Sequence, residues 1–139
     1  MLVTDASVFL EWLLNDARAA DAEAILIRAA TEEIRVPPLC WLEVGNVLAM
    51  RMRRGKIDAA FRDAALGRMR AIGLSSDRPA DPAGASLDLT LALADRFALT
   101  VYDAAYLELA LRTGAELGTF DADLAKAARA AGVPVAPAA

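Results

Sequence analysis

The chain has 139 residues, 57% of them hydrophobic, with a net charge of −4; that is enough apolar material to bury a core in one domain, and it excludes a disordered chain. With no histidine and one cysteine, a Ser-His-Asp triad, a histidine general base, an internal disulfide and a structural zinc site are all excluded. No apolar run approaches the ~20 residues that cross a bilayer, and the chain opens on Leu2-Val3-Thr4-Asp5 without a preceding basic region, so neither a membrane span nor a signal peptide is expected and a reducing cytoplasm is.

Short β-like runs alternate with longer helical ones, the pattern of an α/β fold with a parallel sheet. Leu2 to Asp5 reads as the first strand. Ser7 is the expected cap of a helix from Val8 to Leu14, and a second helix covers about Ala19 to Thr31. Ile34 to Val36 is a strand stopped by Pro37-Pro38. A helix from Leu39 to Arg54 follows, with Leu39, Leu42, Val47 and Met50 as its apolar stripe and Gly55 as its end. Cys40 lies in the apolar Leu39-Cys40-Trp41-Leu42 and is expected to be a small core residue, not a nucleophile.

Asp58 caps a further helix to about Ile72, which Gly73 breaks. Leu74 to Ser76 reads as a short strand, and Asp77 to Ala83, with Pro79 and Pro82, as a loop. A helix from about Ala85 to Phe97 comes next, then one from near Asp103 to Gly114. Leu117 to Phe120 is a strand, Asp121 or Asp123 caps a helix to Ala131, and Val133-Pro134-Val135 is an edge strand. Asp77, Asp81, Asp88 and Asp95 fall in polar loops or on helix faces and need no special account.

Four other acids do need one. Asp5, Glu43, Asp103 and Asp121 each sit against an apolar segment, where charges are rare without a partner. Taken singly, Asp5, Asp103 and Asp121 fit as helix caps or first-turn acids, favoured by the helix dipole. Taken together, at carboxyl ends of strands and near starts of helices, they point to a shared cation. Carboxylates ~5 Å apart repel by about 3 kcal/mol per pair at an effective dielectric near 20. A hard ion with oxygen ligands, Mg²⁺ or Mn²⁺, removes that cost and can activate a water against a phosphodiester. Ser7, Asn46 and Thr119 are candidates to orient the carboxylates, or local cap and turn residues; Asp123 is an alternative to Asp121.

Seven bases lie between Arg51 and Arg70 against two acids, a local charge of +5 on a chain whose remainder is −9. Arg51, Arg53, Arg54 and Lys56 are candidates to track a phosphate backbone; an ordinary solvated helix face is the alternative.

Four segments resemble the PIN-domain ribonucleases, most closely the VapC-type toxins: Val3-Thr4-Asp5-Ala6-Ser7, Pro37-Pro38 with Leu42-Glu43-Val44-Gly45-Asn46-Val47-Leu48, Thr100-Val101-Tyr102-Asp103-Ala104-Ala105-Tyr106-Leu107, and Thr119-Phe120-Asp121. The resemblance runs from Leu2 to about Val135. It implies a three-layer α/β fold over residues 1–139, with a short, mostly parallel central sheet of about five strands flanked by helices. It also implies endonucleolytic cleavage of RNA, a VapB-type antitoxin and a homodimer. Glu11 precedes Trp12 where many relatives have lysine, which makes the first helix less basic. Two other functions are alternatives: a catalytically silent scaffold of a repressor complex, and a phospho-accepting receiver domain. The latter needs adjacent early acids and a late-strand lysine, and the only lysines are Lys56 and Lys126.

Overall fold

In the computed structural model, which describes residues 1–138, β1 (Leu2–Thr4) is buried along its whole length, as a strand covered by helices on both faces must be. It pairs in parallel with β2 (Ile34–Val36) on one side and β4 (Glu116–Gly118) on the other, Leu2 standing opposite both Ile34 and Glu116. Two edge strands, β3 (Ser75–Ser76) and β5 (Val135–Ala136), complete the order β3-β2-β1-β4-β5. The expected mostly parallel sheet is parallel throughout.

Helices α1 (Ala6–Leu13), α2 (Ala19–Leu26), α3 (Leu39–Arg53), α4 (Ala59–Ala71), α5 (Ala85–Phe97), α6 (Val101–Thr113) and α7 (Ala122–Ala130) make the connections. From β1 the chain steps outward to β2 and β3, then crosses back to β4 and β5. The order reverses between β1 and β4, so a crevice opens at their carboxyl ends.

Several boundaries differ from the sequence expectation. β5 is Val135–Ala136 and not Val133–Val135, and β3 is Ser75–Ser76 without Leu74. Asp5, not Ser7, caps α1, because its carboxylate accepts from the Ser7 N–H. The second helix tightens into a 3₁₀ turn at Ile27–Ala30, a common helix ending. α6 starts at Val101 with Thr100 as its cap, its hydroxyl accepting from the Asp103 N–H at 3.1 Å, so Asp103 lies in the first turn. β4 ends at Gly118, and Phe120 belongs to the turn before α7.

The buried face of α3 also differs. Leu42 is 77% exposed and Met50 38%, while Cys40, Val44 and Leu48 meet the core. An i, i+4, i+8 stripe containing the cysteine prevails over the one containing Leu42. Burial pushes the Cys40 thiol up to about 12, which makes it an inert packing group.

Asp77 is not an idle loop residue. It and Glu108 of α6 are 7% and 4% exposed and share one guanidinium: Arg112 Nη2 donates to Asp77 Oδ2 at 2.7 Å and Nε to Glu108 Oε1 at 2.8 Å. This pins the segment after β3 to α6. Removing the base would leave two buried carboxylates without a counter-charge, so Arg112→Ala is expected to cost about 3 kcal/mol in urea unfolding. In the opposite direction, Ala98 ends α5 in the left-handed region at φ 53°, a conformation that costs a side-chain-bearing residue about 1 kcal/mol. Ala98→Gly is therefore expected to raise Tm by about 3 °C.

Candidate active site

Parallel β–α connections deliver helix N-termini to the carboxyl edge of the sheet, and the acids come with them. Asp5 ends β1 and caps α1; Asp121 follows β4 and caps α7, its Oδ1 accepting from the Leu124 N–H at 2.7 Å. That settles the Asp121/Asp123 choice for the cap: Asp123 lies in the first turn of α7. Glu43 stands in the second turn of α3, directly after β2. α6 runs back toward β4 through Gly114 and Ala115, so its first turn, with Asp103, reaches the same edge.

The four carboxylates line one cavity of about 290 Å³, with Ser7, Asn46 and Tyr106 among its other walls. No lysine or arginine lines it. As the side chains stand, no three acid or cysteine side chains among the described residues close around a point where an ion would sit. The group is an open cup, not a cage.

Asp5 is held hardest. Ser7 N–H and Oγ–H both donate to its Oδ1, and Thr119 Oγ1 donates to its Oδ2. Each hydroxyl also accepts a backbone N–H from the turn after β4: Ser7 Oγ from Phe120 at 2.9 Å, Thr119 Oγ1 from Asp121 at 3.0 Å. The two hydroxyls therefore knit the ends of β1 and β4 together around one carboxylate. Asn46 also lines the cavity, its amide facing the Met50 sulfur at 3.8 Å.

Tyr106 is a site residue that was not singled out from the sequence. Its hydroxyl donates to Glu43 Oε1 at 2.7 Å and ties α6 to α3. The signal was present: Tyr106 falls three residues after Asp103 on one helix face.

Burial is the main electrostatic cost. It pushes the Asp5 carboxyl up to about 6 against the opposing hydrogen bonds from Ser7 and Thr119. Burial also raises Glu43, opposed by the Tyr106 hydrogen bond and assisted by the Asp103 charge. Asp103 is raised by burial first and then by Asp121 and Asp123. Glu43, Asp103 and Asp121 thus form one chain of like charges, within reach of Asp123.

The basic stretch lies elsewhere. Arg51 is about 12 Å beyond Glu43 along α3, where it faces Asp16 at 3.6 Å. Arg51 and Lys56 line a separate cleft with Leu14, Ile57, Asp58 and Phe61. Neither they nor Arg53 and Arg54 touch the acidic cavity.

The Asp5 shift sets a pH dependence. Between 3.8 and about 6 the folded chain binds a proton that the unfolded chain has released, so stability falls as pH rises through that window. The acids lowered by ion pairs, Glu32 with Arg28 and Glu33 with Arg35, act oppositely but only below about pH 4.5. In chelator, Tm is expected to rise from pH 7 to pH 5, reflecting about 1.3 kcal/mol of the roughly 3 kcal/mol that the whole window holds. Asp5→Asn is expected to flatten most of that rise.

Comparison with known proteins agrees with this architecture. Residues 2–130 match the model of the PIN domain. The chain is 34% identical over 127 residues to Ribonuclease VapC3 of Mycobacterium tuberculosis, from strains CDC 1551 / Oshkosh and H37Rv, covering 91% of this chain and 86% of the relative. The crystal structure of PAE2754 from Pyrobaculum aerophilum has the same fold, with a TM-score of 0.70 at 24% identity over 96% of this chain and 82% of that one. With four acids at the carboxyl edge of a five-stranded parallel sheet and these relatives over nearly its whole length, the chain belongs to the PIN-domain family and is of the VapC type.

Proposed function

We propose that this chain is a divalent-cation-dependent endoribonuclease and the toxin of a VapBC-type toxin–antitoxin pair. The support is one observation above all: four carboxylates from four separate elements line a cavity that contains no base. Acids gathered without bases need a cation from outside the chain. An oxygen-only donor set, with no histidine in the chain, fits Mg²⁺ or Mn²⁺ and not zinc. The cavity has room for an ion that keeps several of its waters, as Mg²⁺ prefers. The RNA substrate is carried over from the name of the VapC3 relatives.

Asp5, Glu43, Asp103 and Asp121 would hold the ion, which when bound supplies Lewis acidity to a phosphodiester and orients a water that gives up its proton more readily than bulk water does. The chain's own contribution is to orient. Ser7 and Thr119 occupy both oxygens of Asp5 and fix its plane. Tyr106 holds Oε1 of Glu43, which leaves Oε2 for a ligand. The cap bond of Asp121 engages Oδ1 and leaves Oδ2 for a ligand. Arg51, Arg53, Arg54 and Lys56 would flank a longer RNA at the far end of α3.

A VapB-type antitoxin, a homodimer and a cytoplasmic location complete the proposal. No helix among the described residues is long and apolar enough to cross a membrane.

The test is cleavage of a mixed-sequence RNA with Mg²⁺ or Mn²⁺, with EDTA, and by Asp103→Asn. Loss of at least about 100-fold is expected in both the chelated and the substituted protein. Mn²⁺ should also raise Tm, by about 2.7 kcal/mol of stability at 100 times its Kd. Cleavage that persists in EDTA and in Asp103→Asn would refute the proposal.

A further inference from the structure

Asp121 faces two cavities. On one side it helps to close the acidic cup. On the other it lines a second cavity, of about 280 Å³, together with Arg18, Thr119, Phe120, Arg129 and Pro137. The two differ in charge. The cup has four carboxylates and no base; among the described residues, its neighbour has two guanidinium groups and only the carboxylate the two cavities share.

Arg18 is oriented. Its guanidinium lies over the Phe120 ring, 4.0 Å from the centroid, which fixes its plane while leaving N–H donors at its edge. Its ion-pair partner, Asp21 at 3.2 Å, is itself largely in water, and such pairs contribute little and exchange readily. Arg129 stands exposed in the last turn of α7, and none of the ion pairs among the described residues uses it.

We propose that this second cavity seats a backbone phosphate of the RNA, adjacent along the strand to the phosphodiester held over the acidic cup. The inference rests on the nuclease assignment and adds a subsite to it. A strand crossing the cup must place its next phosphate against a wall, and the wall beyond Asp121 carries the two guanidinium groups. A guanidinium fork matches phosphate oxygens in a bidentate manner. Asp121 opposes an anion there while it is free. Once its charge is shared with a cation in the cup, the arginines dominate the local field. Neither arginine belongs to the basic stretch at the end of α3, and the two, 111 positions apart in the chain, meet only as walls of this cavity.

The test is binding of a fluorescein-labelled uridine decamer in Ca²⁺, against salt, for the natural protein, Arg18→Ala/Arg129→Ala and Arg18→Lys. The double variant should bind roughly tenfold more weakly near 0.1 M salt. Its log–log salt slope should fall by about 1.4, that is about 0.7 per lost phosphate contact on a single strand. Arg18→Lys should recover most of the slope. The dinucleotide uridylyl-uridine, with one phosphodiester, should compete equally well for the natural protein and the double variant. An unchanged Tm rise with Mn²⁺ would show that fold and cup are intact.

An unchanged slope, or equal weakening of dinucleotide and decamer, would overturn the subsite while leaving the nuclease assignment standing. Competition by polyglutamate as strong as by the decamer would assign the cavity to an acidic polypeptide and overturn it too. A natural protein that does not bind the decamer at all would remove the nuclease assignment and the subsite together.

Discussion

Carboxylates used as helix caps at one edge of a parallel sheet are the interaction on which both the fold and the site depend. Every β–α unit leaves unpaired N–H groups and the positive end of a helix dipole at the carboxyl edge. Asp5 and Asp121 satisfy those groups directly, while Asp103 and Glu43 sit within the first two turns of α6 and α3. Four acids can therefore gather there without a base beside them. The compensation is incomplete, as the raised Asp5, Glu43 and Asp103 show. Asp5 and Asp121 thus serve as structural acceptors, and in the function proposed above a cation would take up the charge that remains.

The four are not equivalent. Asp5 is buried, doubly hydrogen-bonded and seated at the topological reversal of the sheet. Asp121 is exposed, half-used by its cap, and stands between an acidic and a basic cavity. One end of the site is therefore rigid and the other accessible. Thr119 joins them, with its hydroxyl proton on Asp5 and the Asp121 N–H on its oxygen. A substitution at Thr119 would loosen both at once, although Thr119 does not itself line the cup.

Much of this was legible in the residues. Each strand and helix left its mark in local pattern: Pro37-Pro38 before α3, Gly55 and Gly73 after α3 and α4, Gly114 before β4. The acids were legible because charged residues inside apolar runs are conspicuous, and their motifs matched a known family. Contacts made across long sequence separation were not legible. Arg112 meets Asp77 over 35 positions and Tyr106 meets Glu43 over 63, distances at which periodicity carries no information. The burial of α3 failed for a related reason: Leu42 and Cys40 both fit a helical stripe, and only packing against the sheet selects Cys40. Asp5 displaced Ser7 as a cap because both are good cap residues two positions apart, and the strand end fixes which one has the extended backbone a cap requires.

The outermost strands, β3 and β5, are each two residues long. A sheet edge invites another chain to add a strand in proportion to the row of unpaired backbone groups it offers. Here each border offers almost none, so fibril-like stacking and strand exchange find little to template on. Copies of the molecule, or a foreign chain, must instead meet it through side chains on helices, where recognition depends on shape and residue identity and can be revised one substitution at a time.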